Sequence, residues 1–259
     1  MTEIASFYSY KGGAGRSSML ASVAILLAQK GRRIVCIDFD LQSGGLHTNF
    51  GLESKHIQHT VLDLLTTLSP FDVGQAMLDL SEELSFHNEG SRLWLLAAVT
   101  EAEKLRNVFE GGRDLTILFN HIISEIIDTF NPHFILVDSQ SGFAQLASAP
   151  ILRADRLVCV LRPNRQNVEG IRNLLDILNT LSIQPKTFLA LSQVPGTSEV
   201  TVLINKLRSA LGTSRDFNVI IPFIPELSLE ENVIIRSVKQ PHLANYYQPI
   251  VNWLEGTML

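Results

Sequence analysis

The chain has 259 residues, 46% hydrophobic and 18% charged, with a formal net charge of −5; this suits one well-filled domain over residues 1–259. No run approaches the ~20 uninterrupted apolar residues that a membrane span needs, and the first residues lack the basic start and apolar core of a signal peptide. Two cysteines, Cys36 and Cys159, are too few for a disulfide framework or an iron–sulfur centre and read as small buried hydrophobes, so the cytoplasm is the expected address.

An apolar run over 4–10 reads as a strand. Met19, Leu20, Val23, Leu26 and Leu27 repeat at helical spacing over 17–29, and Gly31 ends that helix. A buried strand over 33–40 follows. Residues 61–68 and 73–80 are expected as two short helices separated by Ser69-Pro70, and 84–87 with 92–96 as a hairpin or a pair of adjacent strands. The polar stretch closed by Gly111-Gly112 is expected to be mobile. A long amphipathic helix covers 114–130 and stops at Asn131-Pro132. Thereafter strands at 134–138, 156–161, 187–192 and 219–225 alternate with helices at 144–152, 168–181, 200–211 and 244–254. This alternation predicts an α/β fold, a mostly parallel twisted sheet with helices on both faces.

Between the first strand and first helix stands Tyr10-Lys-Gly-Gly-Ala-Gly-Arg-Ser-Ser18. Glycines let the backbone approach a ligand closely, and a helix N-terminus behind them offers unpaired N–H donors and the positive end of its dipole. This is the arrangement that cradles phosphate, and Ser17 falls where a P-loop hydroxyl would ligate Mg²⁺. The strict P-loop pattern has glycine where Tyr10 stands and lysine where Arg16 stands. Two further segments place acids at strand ends, Arg33-Ile-Val-Cys-Ile-Asp38-Phe-Asp40 and Phe134-Ile-Leu-Val-Asp138, where open α/β sheets put their ligands.

Lys11-Gly-Gly-Ala-Gly-Arg16-Ser17 resembles the deviant Walker A loop of the ParA/MinD group of P-loop ATPases. Asp38-Phe-Asp40 with 41–46 resembles that group's Asp-x-Asp segment and switch I, and Asp138 with 139–144 its Walker B strand and switch II. The opening Phe7-Tyr-Ser-Tyr-Lys-Gly-Gly-Ala-Gly-Arg resembles a bacterial branch in which arginine is usual at the position of Arg16. The resemblance implies a single-domain P-loop NTPase fold that binds ATP and Mg²⁺. Gly12, Gly13, Ala14, Gly15, Arg16, Ser17 and Ser18 would hold the phosphates, Ser18 on the α-phosphate side. Ser17, Asp38 and Asp138 would serve the metal, Asp38 through its hydration shell or a hydrogen bond to the P-loop. Asp40 would orient the attacking water, and Lys11 would reach the partner's phosphates in a nucleotide-dependent homodimer. Gln193, Pro222 and Phe223 occupy places comparable to those flanking adenine in relatives, although a phenylalanine there reads first as core. Ser141 replaces the proline usual in switch II.

The implied function is a slow ATPase that acts as a dimerising switch and controls the positioning or assembly of a protein partner. The alternative is a nucleotide-sensing or scaffold module with little hydrolysis, because Arg16 replaces the P-loop lysine. A bacterial-type tyrosine kinase ranks third, since only Tyr246-Tyr247 stand near the end. Arg153, Arg156, Arg162, Arg165 and Arg172 raise non-specific DNA binding, which the negative net charge disfavours. A membrane-binding tail is not expected, because no lysine or arginine follows Lys239.

Overall fold

The computed structural model describes residues 1–66, 72–84, 88, 90–112, 114–142, 145–212 and 214–257. The first half contains β1 (Glu3–Tyr8), α1 (Arg16–Gln29), β2 (Arg33–Phe39), α2 (Leu46–Asn49), α3 (Val61–Thr66), α4 (Val73–Ala76), β3 (Met77–Asp79) and β4 (Arg92–Leu96). Next come α5 (Ala102–Glu110), α6 (Leu115–Phe130), β5 (Phe134–Ser139), α7 (Gln145–Arg153), β6 (Arg156–Leu161) and α8 (Arg165–Thr180). The chain finishes with β7 (Lys186–Val194), α9 (Val200–Leu211), β8 (Val219–Pro222), α10 (Val233–Lys239) and α11 (Gln248–Leu254).

The strands form one eight-stranded sheet in the order β3-β4-β2-β5-β1-β6-β7-β8. Every pairing is parallel except β3 with β4. β5 and β6 are buried at every position, which explains why their sequences read as continuous apolar runs and not as alternating ones. Successive residues still serve opposite faces. In β2, Ile34 and Cys36 pack with α1, while Val35 and Ile37 pack with α3 and α6. A third apolar cluster joins Leu157, Cys159 and Leu161 of β6 to α8 and α9. Helix α1 is enclosed on nearly all sides, consistent with its apolar composition.

β1 lies between β5 and β6, whereas α1 carries the chain past β5 to β2. The connections therefore leave the sheet in opposite directions beside β1. A crevice opens at such a switch point beyond the strands' C-terminal ends, and it is there that the glycine loop sits.

Several elements differ from the sequence-based expectation. The helix expected at 73–80 is a single turn, capped by the Asp72 side chain on the Gly74 N–H, followed by edge strand β3. Pairing of Met77 with Leu96 and of Asp79 with Trp94 overrides the helical spacing. The polar stretch closed by Gly111-Gly112, expected to be mobile, contains α5. This helix turns Val108 inward and ties Lys104 to Asp63 at 2.7 Å. β4 occupies 92–96 as expected, beside β2 and β3, while the strand expected at 84–87 falls largely outside the described residues. The closing helix is split into a 3-10 turn, Pro241–Tyr246, and α11, because Pro249 provides no N–H for a continuous helix. α10 has no counterpart in the sequence reading; Asn232 caps it by accepting from the Ile234 and Ile235 N–H groups. Ile250, Val251 and Leu254 of α11 are buried. Among the described residues, no helix is long and apolar enough to cross a membrane.

Candidate functional site

Residues 9–17 leave the end of β1 and enter α1 through Gly15, whose φ of 81° is the left-handed conformation that glycine adopts without strain. With no side chain capping the helix, the first N–H groups of α1 are free to meet a ligand. They border a cavity of about 610 Å³ lined by residues 12–18 together with Ser9, Asp40, Ser43, Ser141 and Glu231. Tyr10, where the strict loop has glycine, lays its ring on Gly170 of α8. A Cβ at Gly170 would fall 2.3 Å from that ring, so the bulky loop residue is accommodated by a glycine far away in sequence.

Three acids gather at the strand ends beside the loop; Asp40 lines the cavity, and Asp38 and Asp138 lie buried behind it. Asp38 and Asp138 are register partners across β2 and β5, and both are buried. Asp38 accepts from the N–H groups of Asp40 at 3.1 Å, Gly45 at 3.0 Å and Leu46 at 2.9 Å. Its described bonds thus organise the segment 40–46, and none goes to the glycine loop. Burial first, then the charge of Asp138, pushes the Asp38 carboxyl up to about 8. The Ser17 hydroxyl faces Asp138, whose carboxyl is raised by burial against the opposing pull of Arg16 first and then of Ser17.

Arg16 is where the structure departs most from the sequence reading. Its side chain turns away from the phosphate cradle to the acids. Nη2 donates to Asp40 Oδ2 at 2.7 Å, Nε donates to Asp138 Oδ1, and Nη1 lies 3.4 Å from Ser9 Oγ. Burial opposes the guanidinium's charge, yet Asp138 and Asp40 together outweigh it and raise its pKa. Asp40, the residue expected to orient water, is therefore engaged by the arginine.

Lys11 is exposed. Its Nζ donates to Gln166 Oε1 at 2.8 Å, outside its own cavity. Gln193 has a φ of 60°, uncommon for a non-glycine residue and frequent at functional sites. Its amide donates to the Gly13 carbonyl at 2.9 Å, bracing the loop. Gln193 and Phe223 line a second cavity, about 550 Å³, with Arg162, Asn164 and Thr197. Phe223 is 56% exposed, so the core role weighed for it is corrected: β8 ends at Pro222 and delivers the ring outside the sheet. Pro222 is itself exposed.

The arginine cluster disperses. Arg156 is buried, ion-paired with Glu3 and stacked 5.0 Å over Trp253, while Arg165 pairs with Glu169 at 2.7 Å. Only Arg162 turns to the loop, beside Gly13. Sequence reasoning placed Ser43 within segment 41–46 but missed Ser9 and Glu231 on the cavity wall, and Arg236, which reaches Ser18.

A glycine loop at a helix N-terminus, a serine hydroxyl on a buried strand-end acid and a second acid pair define a P-loop nucleotide-binding α/β protein. Among the described residues no group of three or more His, Cys, Asp or Glu forms a metal cage. Magnesium in such sites is bound by few side chains together with phosphate oxygens and water, and the Ser17–Asp138 pair fits that pattern.

The chain belongs to the AAA domain family AAA_31, whose match spans residues 2–191, and within it to the ParA/MinD-type P-loop ATPases. It is 27% identical over 186 residues to the septum site-determining protein MinD of Helicobacter pylori, covering 72% of this chain and 62% of that protein. The chain thus spans about six tenths of the length of the curated relatives it matches. The fold is shared with Pyrococcus horikoshii MinD complexed with Mg-ADP (TM-score 0.72, 19% identity, 98% and 96% of the two chains). It is also shared with the MinC:MinD complex of Aquifex aeolicus (TM-score 0.72, 22% identity, 100% and 97%).

Proposed function

We propose that this chain is a Mg-ATP-dependent switch that dimerises with nucleotide bound, engages a protein partner in that state and lets it go after slow hydrolysis. The observation that carries the reading is the convergence of the glycine loop, Ser17 and Asp40 on one cavity at the sheet's C-terminal edge, with Asp138 buried directly behind Arg16 and Ser17. The loop backbone from Gly12 to Ser17 holds phosphate, Ser18 serves the α-phosphate side, and Ser17 with Asp138 holds Mg²⁺. Magnesium neutralises phosphate charge when bound. Asp38 fixes 40–46 and so makes that segment responsive to what lies beneath it.

Phosphoryl transfer is mainly positioning and charge neutralisation, so Arg16 has two tasks. On the acids it keeps buried carboxylates paired; turned toward the loop, it forks onto phosphate oxygens as arginine does well. Release of Asp40 by Arg16 is then the step that frees a carboxylate to orient water. Phe223 and Gln193 flank the base, and Lys11, turned outward, is available to a second protomer. The relative named for septum siting and the solved MinC:MinD pair support a partner-controlling role, with the cytoplasm as its setting.

A second reading, a nucleotide sensor with little turnover, is favoured by the Arg16–Asp40 ion pair at 2.7 Å. ADP release from Mg-ATP, with Asp40→Ala alongside, decides between them. Turnover lost in the variant supports the switch; binding without turnover in either protein supports the sensor. Lys11→Ala is expected to abolish ATP-dependent dimerisation while sparing monomer binding, measured by light scattering.

A further inference from the structure

Two buried arginines flank the first turn of helix α1. Arg16 begins the helix. Ser18, two residues on and about 200° around it at ~3.6 residues per turn, meets the guanidinium of Arg236 from α10. Arg236 is 3% exposed. Its Nη2 donates to Ser22 Oγ at 2.6 Å and to Ser18 Oγ at 3.2 Å, and Nη1 donates to the Glu230 carbonyl oxygen at 3.3 Å. The groups that accept from it are hydroxyls and a carbonyl, none of which carries a negative charge. Among the described residues no carboxylate forms an ion pair with it, and the side chain of Glu230 is turned to Lys239 at 3.9 Å.

Burying a cation without a counter-charge costs several kcal/mol, and burial here lowers the arginine's pKa. Glu230 acts on the guanidinium only at a distance; a nearer source of negative charge is the cavity. Ser18 lines the 610 Å³ cavity, so a single hydroxyl separates Arg236 from the place where phosphate would lie. The same stretch of chain also walls that cavity through Leu227 and Glu231, and Asn232 packs against Gly51 just past α2. Segment 225–240 thus meets the cavity both directly and through the Arg236–Ser18 contact.

We propose that Arg236 is a positioning residue for the phosphate nearest the nucleoside: it orients the Ser18 hydroxyl toward that phosphate, lends it positive charge, and couples nucleotide binding to docking of segment 225–240. The proposal rests on the nucleotide reading of the cavity and adds to it a residue and a route. Occupancy of the cavity supplies the anion that the buried guanidinium lacks, so segment 225–240 is held more tightly when nucleotide is bound. Conversely, loosening this segment weakens nucleotide binding by the same factor, as linkage requires.

Mg-ADP titration by calorimetry and amide hydrogen exchange test this on the full chain. Ser18→Ala and Arg236→Gln are each expected to weaken Mg-ADP binding about tenfold, the loss of one charge-assisted contact. The double variant is expected to lose no more than either single one, because both act through one contact. Amides of 233–240 are expected to gain protection on Mg-ADP addition in the wild type and to gain none in Ser18→Ala. That variant deletes one hydroxyl at the helix head, so it decides the matter even if Arg236→Gln fails to fold. Undiminished affinity in Ser18→Ala, additive losses, or protection that survives in Ser18→Ala overturns the proposal while leaving the nucleotide site standing. A wild-type protein that binds no Mg-ADP overturns the site reading itself, and this proposal with it.

Discussion

The two arginines at the head of α1 are buried almost equally, Arg16 at 7% and Arg236 at 3% exposure, yet they are paired in opposite ways. Arg16 sits among carboxylates that a metal ion would claim. Arg236 sits among hydroxyls beside the place an anion would occupy. One is paired fully within the chain and, under the proposed function, would have to be released for Mg²⁺ to use Asp138 and for water to meet Asp40. The other is paired only partly and gains when phosphate arrives. The same cradle is thus held closed on its metal side and left wanting on its anion side, and Mg-nucleotide answers both conditions at once.

Breaking the carboxylate side gives the largest expected effect. Asp138→Ala leaves Arg16 buried with half of its counter-charge, and removing one partner of a buried ion pair costs about 3–5 kcal/mol. Urea denaturation of the nucleotide-free protein measures this. Combining it with Arg16→Met removes both charges, and the double variant is expected to recover part of the loss, since an apolar replacement of a whole pair is often nearly neutral. A double variant as unstable as the sum of its parts would mean that Arg16 is held by something other than these acids.

The hydroxyl side should break more gently. Ser22→Ala removes the 2.6 Å acceptor of Arg236 and leaves Ser18 and the Glu230 carbonyl in place. An unsatisfied buried donor costs about 1–3 kcal/mol, read from the same denaturation midpoint. The loss is expected to shrink when saturating Mg-ADP is present, because phosphate beyond Ser18 then gives the guanidinium a counter-charge. By contrast, Asp138→Ala is expected to lose more, not less, relative to wild type when Mg-ADP is added.

These two sides were unequally legible in the sequence. Asp38, Asp40, Asp138 and Ser17 announced themselves because strand ends and the glycine loop fix their places by local order, and the central strands were readable as long apolar runs. The direction of the Arg16 side chain was not readable: phosphate and carboxylate attract a guanidinium alike, and only the three-dimensional closeness of Asp40 and Asp138 decides. Arg236 carried no local signal either. It lies 218 residues from Ser18, on a short helix whose one clue was Asn232 at its N-cap. Phe223 read as core because an aromatic inside an apolar run usually is; the early end of β8 at Pro222 turned it outward. The α4–β3 region failed for a related reason, since edge pairing with β4 decides the conformation of 77–79 and sequence spacing does not.

The smallest expected effect tests how far the hydroxyl network extends. Tyr247 lines the same pocket wall as Ser22 and Arg236, and burial raises its phenol above the usual 10.0, with Arg236 and then Ser22 pulling the other way. Because the folded state holds this proton more tightly than the unfolded chain, the contribution is fully present below pH 10.0 and is lost as pH rises beyond it. Tyr247→Phe removes that titration and the phenol's polar interaction with Ser22, worth at most about 0.5–1.5 kcal/mol. At neutral pH the variant is therefore expected to be slightly less stable than wild type, and the gap should narrow as the solution is made alkaline. A gap that stays constant past pH 10.0 would show that the phenol is not buried against Ser22, and the network would then end at Arg236. A narrowing gap, set beside a Ser22→Ala protein whose own alkaline decline is altered, would join Tyr247 to the chain of hydroxyls that links the head of α1 to the start of α11.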